Sequence, residues 1–211
     1  MKVLSSNVWL NLVVSSLRFG LGLIFLTSGL AKLTHNHFPN TIGPPFLETE
    51  LARYGLGLFA QFIAFSQVTI GFLLITKRFA TLGAIMAMPL LLNIWVVVIS
   101  LHWRGTPYVV GFLLLCNIIL LLADFHKLKF IFTDDPAPLV AQQIVRRNWL
   151  LDGCHLVALL VLLLGAALWK ASELMSTYLI NLSLLACIGL GVYAIVNNWR
   201  QSQVRQREIS A

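Results

Sequence analysis

Apolar residues along this chain fall into six long blocks, at roughly 10–33, 56–76, 79–101, 107–125, 150–169 and 177–199, separated by polar breaks. Each block is about 20 residues long, enough at ~1.5 Å per residue to cross a ~30 Å hydrocarbon core as a helix. The breaks Thr76-Lys77-Arg78 and Trp103 to Thr106 are so short that the helices they join must be packed antiparallel neighbours. Two breaks are longer. Residues 34–55 carry Pro44 and Pro45, which exclude a regular helix at that point. Residues 126–148 carry Asp134, Asp135, Pro136 and Pro138 and divide the spans four and two. The predicted fold is all-α, a polytopic transmembrane bundle of six spans. A four-helix core (1–128) is followed by a loop (129–148), a two-helix hairpin (149–199) and a disordered polar tail (200–211). The first block is longer than the apolar part of a signal peptide, contains Arg18 and lacks a convincing cleavage site, so it reads as an uncleaved span.

Composition supports a lipid environment. The chain is 58% hydrophobic and 11% charged, against about 25% charged residues in soluble domains. Its mean hydropathy is +0.84. The net charge of +7 would suggest nucleic acid for a soluble protein, but no basic run is interleaved with aromatics. Nucleic acid is therefore not an expected partner; membrane lipid is. The charge instead sorts by side. Ten basic residues (Lys2, Lys77, Arg78, Lys127, Lys129, Arg146, Arg147, Arg200, Arg205, Arg207) share the side of the N-terminus, against four opposite (Lys32, Arg53, Arg104, Lys170). The positive-inside rule then puts both termini in the cytoplasm. Trp9, Trp103, Trp149, Trp169 and Trp199 sit at span ends, where indoles prefer the interface. Cys116, Cys154 and Cys187 form no CxxC pair and read as small packing residues.

Polar groups within the spans carry the candidate chemistry. Arg18, Gly22, Phe25, Gly29 and Lys32 follow in steps of 4, 3, 4 and 3 and so share one helix face. Its glycines allow close helix approach. Arg18 enters about two turns from the cytoplasmic end. Lys32 lies near the outer end, where its long side chain can snorkel. Arg18 needs a partner, and Asp124 closes span four at a compatible depth. With Gln67 and Asn117 they form an expected interior polar column, with Asn93 above it. Such a column either locks helix register or lines a buried ligand or proton-linked site. Pro89 is expected to kink span three. On the outer face, His102, Arg104 and Gly105 belong to a compact turn that reads as an interfacial turn or an anion-binding cap. His35 and His37 form an HxH without adjacent acids or cysteines, and no metal site is expected. Asp152 and His155, three apart at the start of span five, are either a proton-shuttling pair or a helix-start Asp suited to the macrodipole. No nucleotide loop, nucleophile elbow, HExxH or haem motif is present in the sequence, and no catalytic residue is assigned.

Span one, from Arg18 through Gly20, Gly22 and Gly29 to Lys32, resembles the opening helix of the DoxX-like family. Gln67 through Gly71-Phe72-Leu73-Leu74 to Lys77-Arg78-Phe79-Ala80, and Asp124 closing span four, extend the resemblance over about residues 9–128. It implies a compact four-helix bundle in a bacterial inner membrane. The family name comes from a small subunit of a thiosulfate:quinone oxidoreductase. Other members are similar to subunits of membrane oxidoreductase complexes, and animal relatives act as receptor-assembly chaperones. The family often has Glu where this chain has Gln67, which weakens a proton-transfer reading. Spans five and six lie outside the resemblance.

Three functions remain in view. The first is a non-catalytic subunit or scaffold of a bacterial redox or stress-response membrane complex, partnered by a soluble oxidoreductase or another membrane subunit. The second is an oxidoreductase subunit that handles a quinone or small sulfur compound, with Arg18 and Gln67 holding the head group and quinone as cofactor. The third is a small-solute or lipid transporter. An enzymatic role stays open at this stage.

Overall fold

The computed structural model describes residues 8–35, 37–38, 42, 47–76, 79–125, 128 and 149–210. It is all-helical, and six of its helices are long and apolar enough to cross a membrane. The chain divides into two compact units, Met1–Val145 and Arg146–Ala211.

The first unit contains α1 (Val8–Leu33), the short α2 (Leu47–Arg53), α3 (Gly57–Ile75), α4 (Ala80–Ser100) and α5 (Thr106–Ala123). Helix α1 packs along α3, α3 against α4, and α4 against α5. Helix α5 touches α1 again, so the four long helices enclose a common core. Phe25, Ile63, Leu74, Leu91 and Leu120 fill it. The closest crossing joins α1 to α3. A Cβ on Gly71 would lie 2.4 Å from the Leu26 nitrogen and 2.7 Å from the Gly22 oxygen, so only glycine permits this approach.

The segment before α3, expected to be loop throughout, contains α2. Its sequence Leu-Glu-Thr-Glu-Leu-Ala-Arg is, apart from Thr49, made of good helix formers, with acids early and Arg53 late, as the macrodipole favours. Leu51 anchors it by burial. Gly55 (φ 74°) then reverses the chain, with Leu56 N–H reaching back to Leu51 O at 2.9 Å. A similar reversal ends α4. His102 takes the left-handed conformation (φ 54°), and Trp103 N–H donates to Val98 O at 3.2 Å. Trp95 Nε1 donates to Pro107 O at 3.1 Å, which ties α4 to the start of α5.

The second unit is a hairpin of α6 (Trp149–Ala167) and α7 (Glu173–Ser210), joined through a 3₁₀ turn at Leu168–Lys170. Two buried hydroxyls tie its helices: Ser176 Oγ donates to Gly165 O at 2.6 Å, and Ser183 Oγ to Ala158 O at 2.9 Å. The tail expected to be disordered instead continues α7 to Ser210. Residues 200–210 contain no Gly or Pro and are rich in Arg and Gln. Extending an existing helix also avoids the cost of nucleation. The loop 129–148, Pro44 and Pro45 lie outside the described residues.

Candidate functional site

At one end of the first unit, charges on α1 and α5 meet. Arg18 Nη2 donates to Asp124 Oδ2 at 2.5 Å, and Thr81 Oγ1 of α4 donates to the same oxygen at 2.9 Å. Asp124 is the C-cap of α5, an end where the helix dipole opposes an anion. Arg18 supplies the compensating charge. The pair is largely withdrawn from solvent, with side-chain exposures of 18% and 4%. Arg18 Nε is buried without a partner among the described residues. Thr81, which sequence reasoning did not single out, lies in the first turn of α4 on the level of Asp124.

Asn117 is wholly buried. Its Nδ2 donates to Ala84 O at 3.1 Å. That bond fixes the amide orientation and leaves Oδ1 buried without a donor among the described residues. Asn93, in contrast, is exposed, and its Nδ2 bonds back to Pro89 O of its own helix at 3.0 Å.

Gln67 does not join Arg18. It accepts from Lys32 Nζ at 3.0 Å through Oε1. The expected column of Arg18, Gln67, Asn117 and Asp124 is therefore two separate arrangements, with Asn93 on an outward face. The cause lies in Lys32. A helical side chain leans toward the N-terminus of its helix. Lys32 follows that lean into the bundle instead of snorkelling out, and only 7% of it is exposed. Its amine also donates to Ser28 Oγ at 2.6 Å and Ser28 O at 3.3 Å, one turn back. The i−4 serine on the Lys32 face was the sequence signal for this turn. Gln67 Oε1 must face the amine, so Nε2 points elsewhere, and no hydrogen bond engages it among the described residues.

A partly open pocket of about 50 Å³ lies beside this cluster, bordered by α1, α3, α4 and α5. Lys32, Ser28, Gln67 and Thr106 supply its polar groups, and Leu91, Ile94 and Leu113 are among its apolar walls. At roughly 10–15 Å³ per water-sized group, it holds a few such groups, or one carboxylate-sized head. His102 and Arg104 are exposed and do not line it. His35 and His37 are exposed. No cluster of three metal-ligating side chains occurs among the described residues. In the second unit, Asp152 and His155 are buried, and His155 Nδ1 lies 2.6 Å from Leu151 O, the bond that its Nδ1–H tautomer makes. All three cysteines are free.

Residues 13–100 match the DoxX family model, which spans nearly all of α1 and the whole of α2, α3 and α4 and stops before α5. Arg18, Lys32 and Gln67 lie inside the matched region, and Asp124 lies beyond it. Comparison with curated proteins and with solved structures gives no match.

Proposed function

From the DoxX match at residues 13–100, we propose that the chain is a non-catalytic integral subunit or scaffold of a bacterial redox or stress-response complex. It resides in the inner membrane with both termini in the cytoplasm, the side that the basic residues favour. One observation carries this reading. Arg18, Asp124 and Thr81 hold α1, α4 and α5 together through one carboxylate oxygen, so these polar groups are committed to joining helices. Polar ties of this kind fix the register of membrane bundles. The test is purification of the native protein in gentle detergent, with mass spectrometry of whatever accompanies it. A stoichiometric soluble oxidoreductase or membrane subunit is the expected companion. A chain recovered with phospholipid alone overturns the scaffold reading.

A second reading, an oxidoreductase subunit that handles a quinone or a small sulfur compound, is favoured by the pocket at Lys32 and Gln67. Its apolar walls suit a lipid-soluble ring, and its donors suit a carbonyl oxygen. Organic extraction of the purified protein and analysis for quinone tests it directly.

A further inference from the structure

The pocket beside Lys32 presents positive charge and, among the described residues, unengaged donors. No carboxylate reaches the Lys32 amine among the described residues; its partners are the neutral oxygens of Ser28 and Gln67. A buried cation without a counter-charge is costly in a low-dielectric interior. The oxygens of Gln67 and Ser28 nearest the pocket are already taken by that amine. Gln67 Nε2, on a residue only 6% exposed, has two N–H groups and no partner among the described residues.

Thr106 adds an independent feature. It is the first residue of α5, whose N-cap Gly105 offers no side-chain hydrogen bond. The first backbone bonds of the helix run from Tyr108 and Val109 to Gly105 O, and neither the amide nor the hydroxyl of Thr106 is engaged among the described residues. The helix end carries about half a positive charge; Pro107 has no N–H and the Tyr108 and Val109 amides are bonded, so the Thr106 N–H is the donor it leaves for an anion. Three sources of positive potential thus border one small space, from α1, α3 and α5. The remaining walls are apolar: Phe25 and aliphatic side chains, Leu91, Ile94 and Leu113 among them.

We propose that this pocket binds the anionic head group of an amphiphile with one apolar tail. The head, a carboxylate or a phosphate monoester, sits between Lys32, Gln67 and Thr106, and the tail runs along the aliphatic walls. A neutral carbonyl would satisfy the free donors but leave the ammonium uncompensated, whereas an anion does both. The pocket volume of about 50 Å³ accommodates the head, with the tail leaving through the open side. This inference is independent of the scaffold reading, because ligand binding and partner co-purification are measured separately.

The test uses the full-length protein, delipidated in non-ionic detergent, with radiolabelled oleate and lysophosphatidate as the two anionic probes. Methyl oleate and a short-chain menaquinone serve as neutral controls. Saturable binding of one anion per chain is expected, with methyl oleate about tenfold or more weaker, the worth of a charge-assisted contact. The tighter of the two anions identifies the head as carboxylate or phosphate. Gln67→Glu is the decisive variant, since it keeps the shape and places a carboxylate against the Lys32 amine. It should fold at least as stably as the parent and lose anion binding tenfold or more. Val109→Trp, at a half-exposed wall position, should weaken binding without touching a charge. Methyl oleate or the menaquinone binding as tightly as oleate overturns the proposal. So does a folded Gln67→Glu protein that binds oleate unchanged, or failure of both anions to saturate.

Discussion

Replacing Gly71 by alanine puts one methyl group into the tightest place in the first unit. The added carbon would lie 2.4 Å from Leu26 N, 2.7 Å from Gly22 O and 2.8 Å from Leu26 Cα. Favourable carbon contacts begin near ~3.5 Å, so α1 and α3 must part by roughly 1 Å. None of the three atoms can rotate away, because all belong to the α1 backbone. A gap of that size forfeits about a quarter to a half of the dispersion energy at each contact lining it. Overpacked cores lose about 1–3 kcal/mol, and rigid surroundings place this site near ~3 kcal/mol. For a chain of this length, that corresponds to a fall in Tm of roughly 6–12 °C. The assay is a thermal melt followed by size-exclusion chromatography, with all variants in one detergent. Gly20→Ala is the matched control: it lies on the same helix pair with nothing within 4 Å of the added carbon. It should leave Tm unchanged or slightly raised, as helix propensity dictates. Equal melting of Gly71→Ala and Gly20→Ala would refute the close crossing of α1 and α3.

Three further outcomes are expected. Arg18→Ala should strand a buried Asp124 at a cost of about 3–5 kcal/mol and reduce accumulation in the membrane; the double change Arg18→Met with Asp124→Leu should restore most of it, and a double variant as poor as the single one refutes the ion-pair account. Asn117→Leu removes an orphaned buried carbonyl worth about 1–3 kcal/mol along with one interhelical bond of about 0.6 kcal/mol. Its Tm should hold or rise, and a marked fall would mean that Oδ1 has a donor. In a background without native cysteines, an impermeant maleimide should label Arg104→Cys in intact cells and Lys77→Cys only after lysis; the reverse pattern inverts the proposed orientation.

The helices were legible because lipid imposes a crude requirement, about 20 apolar residues without interruption. Helix α1 was legible in more detail, since its polar and small residues recur every three or four positions and name the inward face. Helix α3 hid its faces. Apolar side chains surround it, and buried positions run from Ala60 to Leu74 with little periodicity. The direction of Gln67 therefore could not be read, and depth alone suggested Arg18 as its neighbour. Depth is sufficient for Arg18 and Asp124, which lie near the same end. It fails for Lys32, whose side chain is long enough to choose between solvent and interior. The pocket was invisible for a different reason: it is bordered by Ser28, Thr106 and Ile42, from three parts of the chain that no local pattern connects. Helix α2 and the extension of α7 were missed because short amphipathic stretches and polar helix formers give weak signals beside six apolar blocks.

The bond between Arg18 and Asp124 spans 106 positions of chain. A ribosome adding about 5–20 residues per second needs on the order of 5–20 s to cover that interval. Helix α1 therefore enters the bilayer with an arginine whose partner has not yet been made. During that interval the guanidinium must reach toward the nearby interface or shelter against the insertion machinery. The ion pair can close only after α5 has been made, and the order of synthesis becomes part of how the first unit assembles.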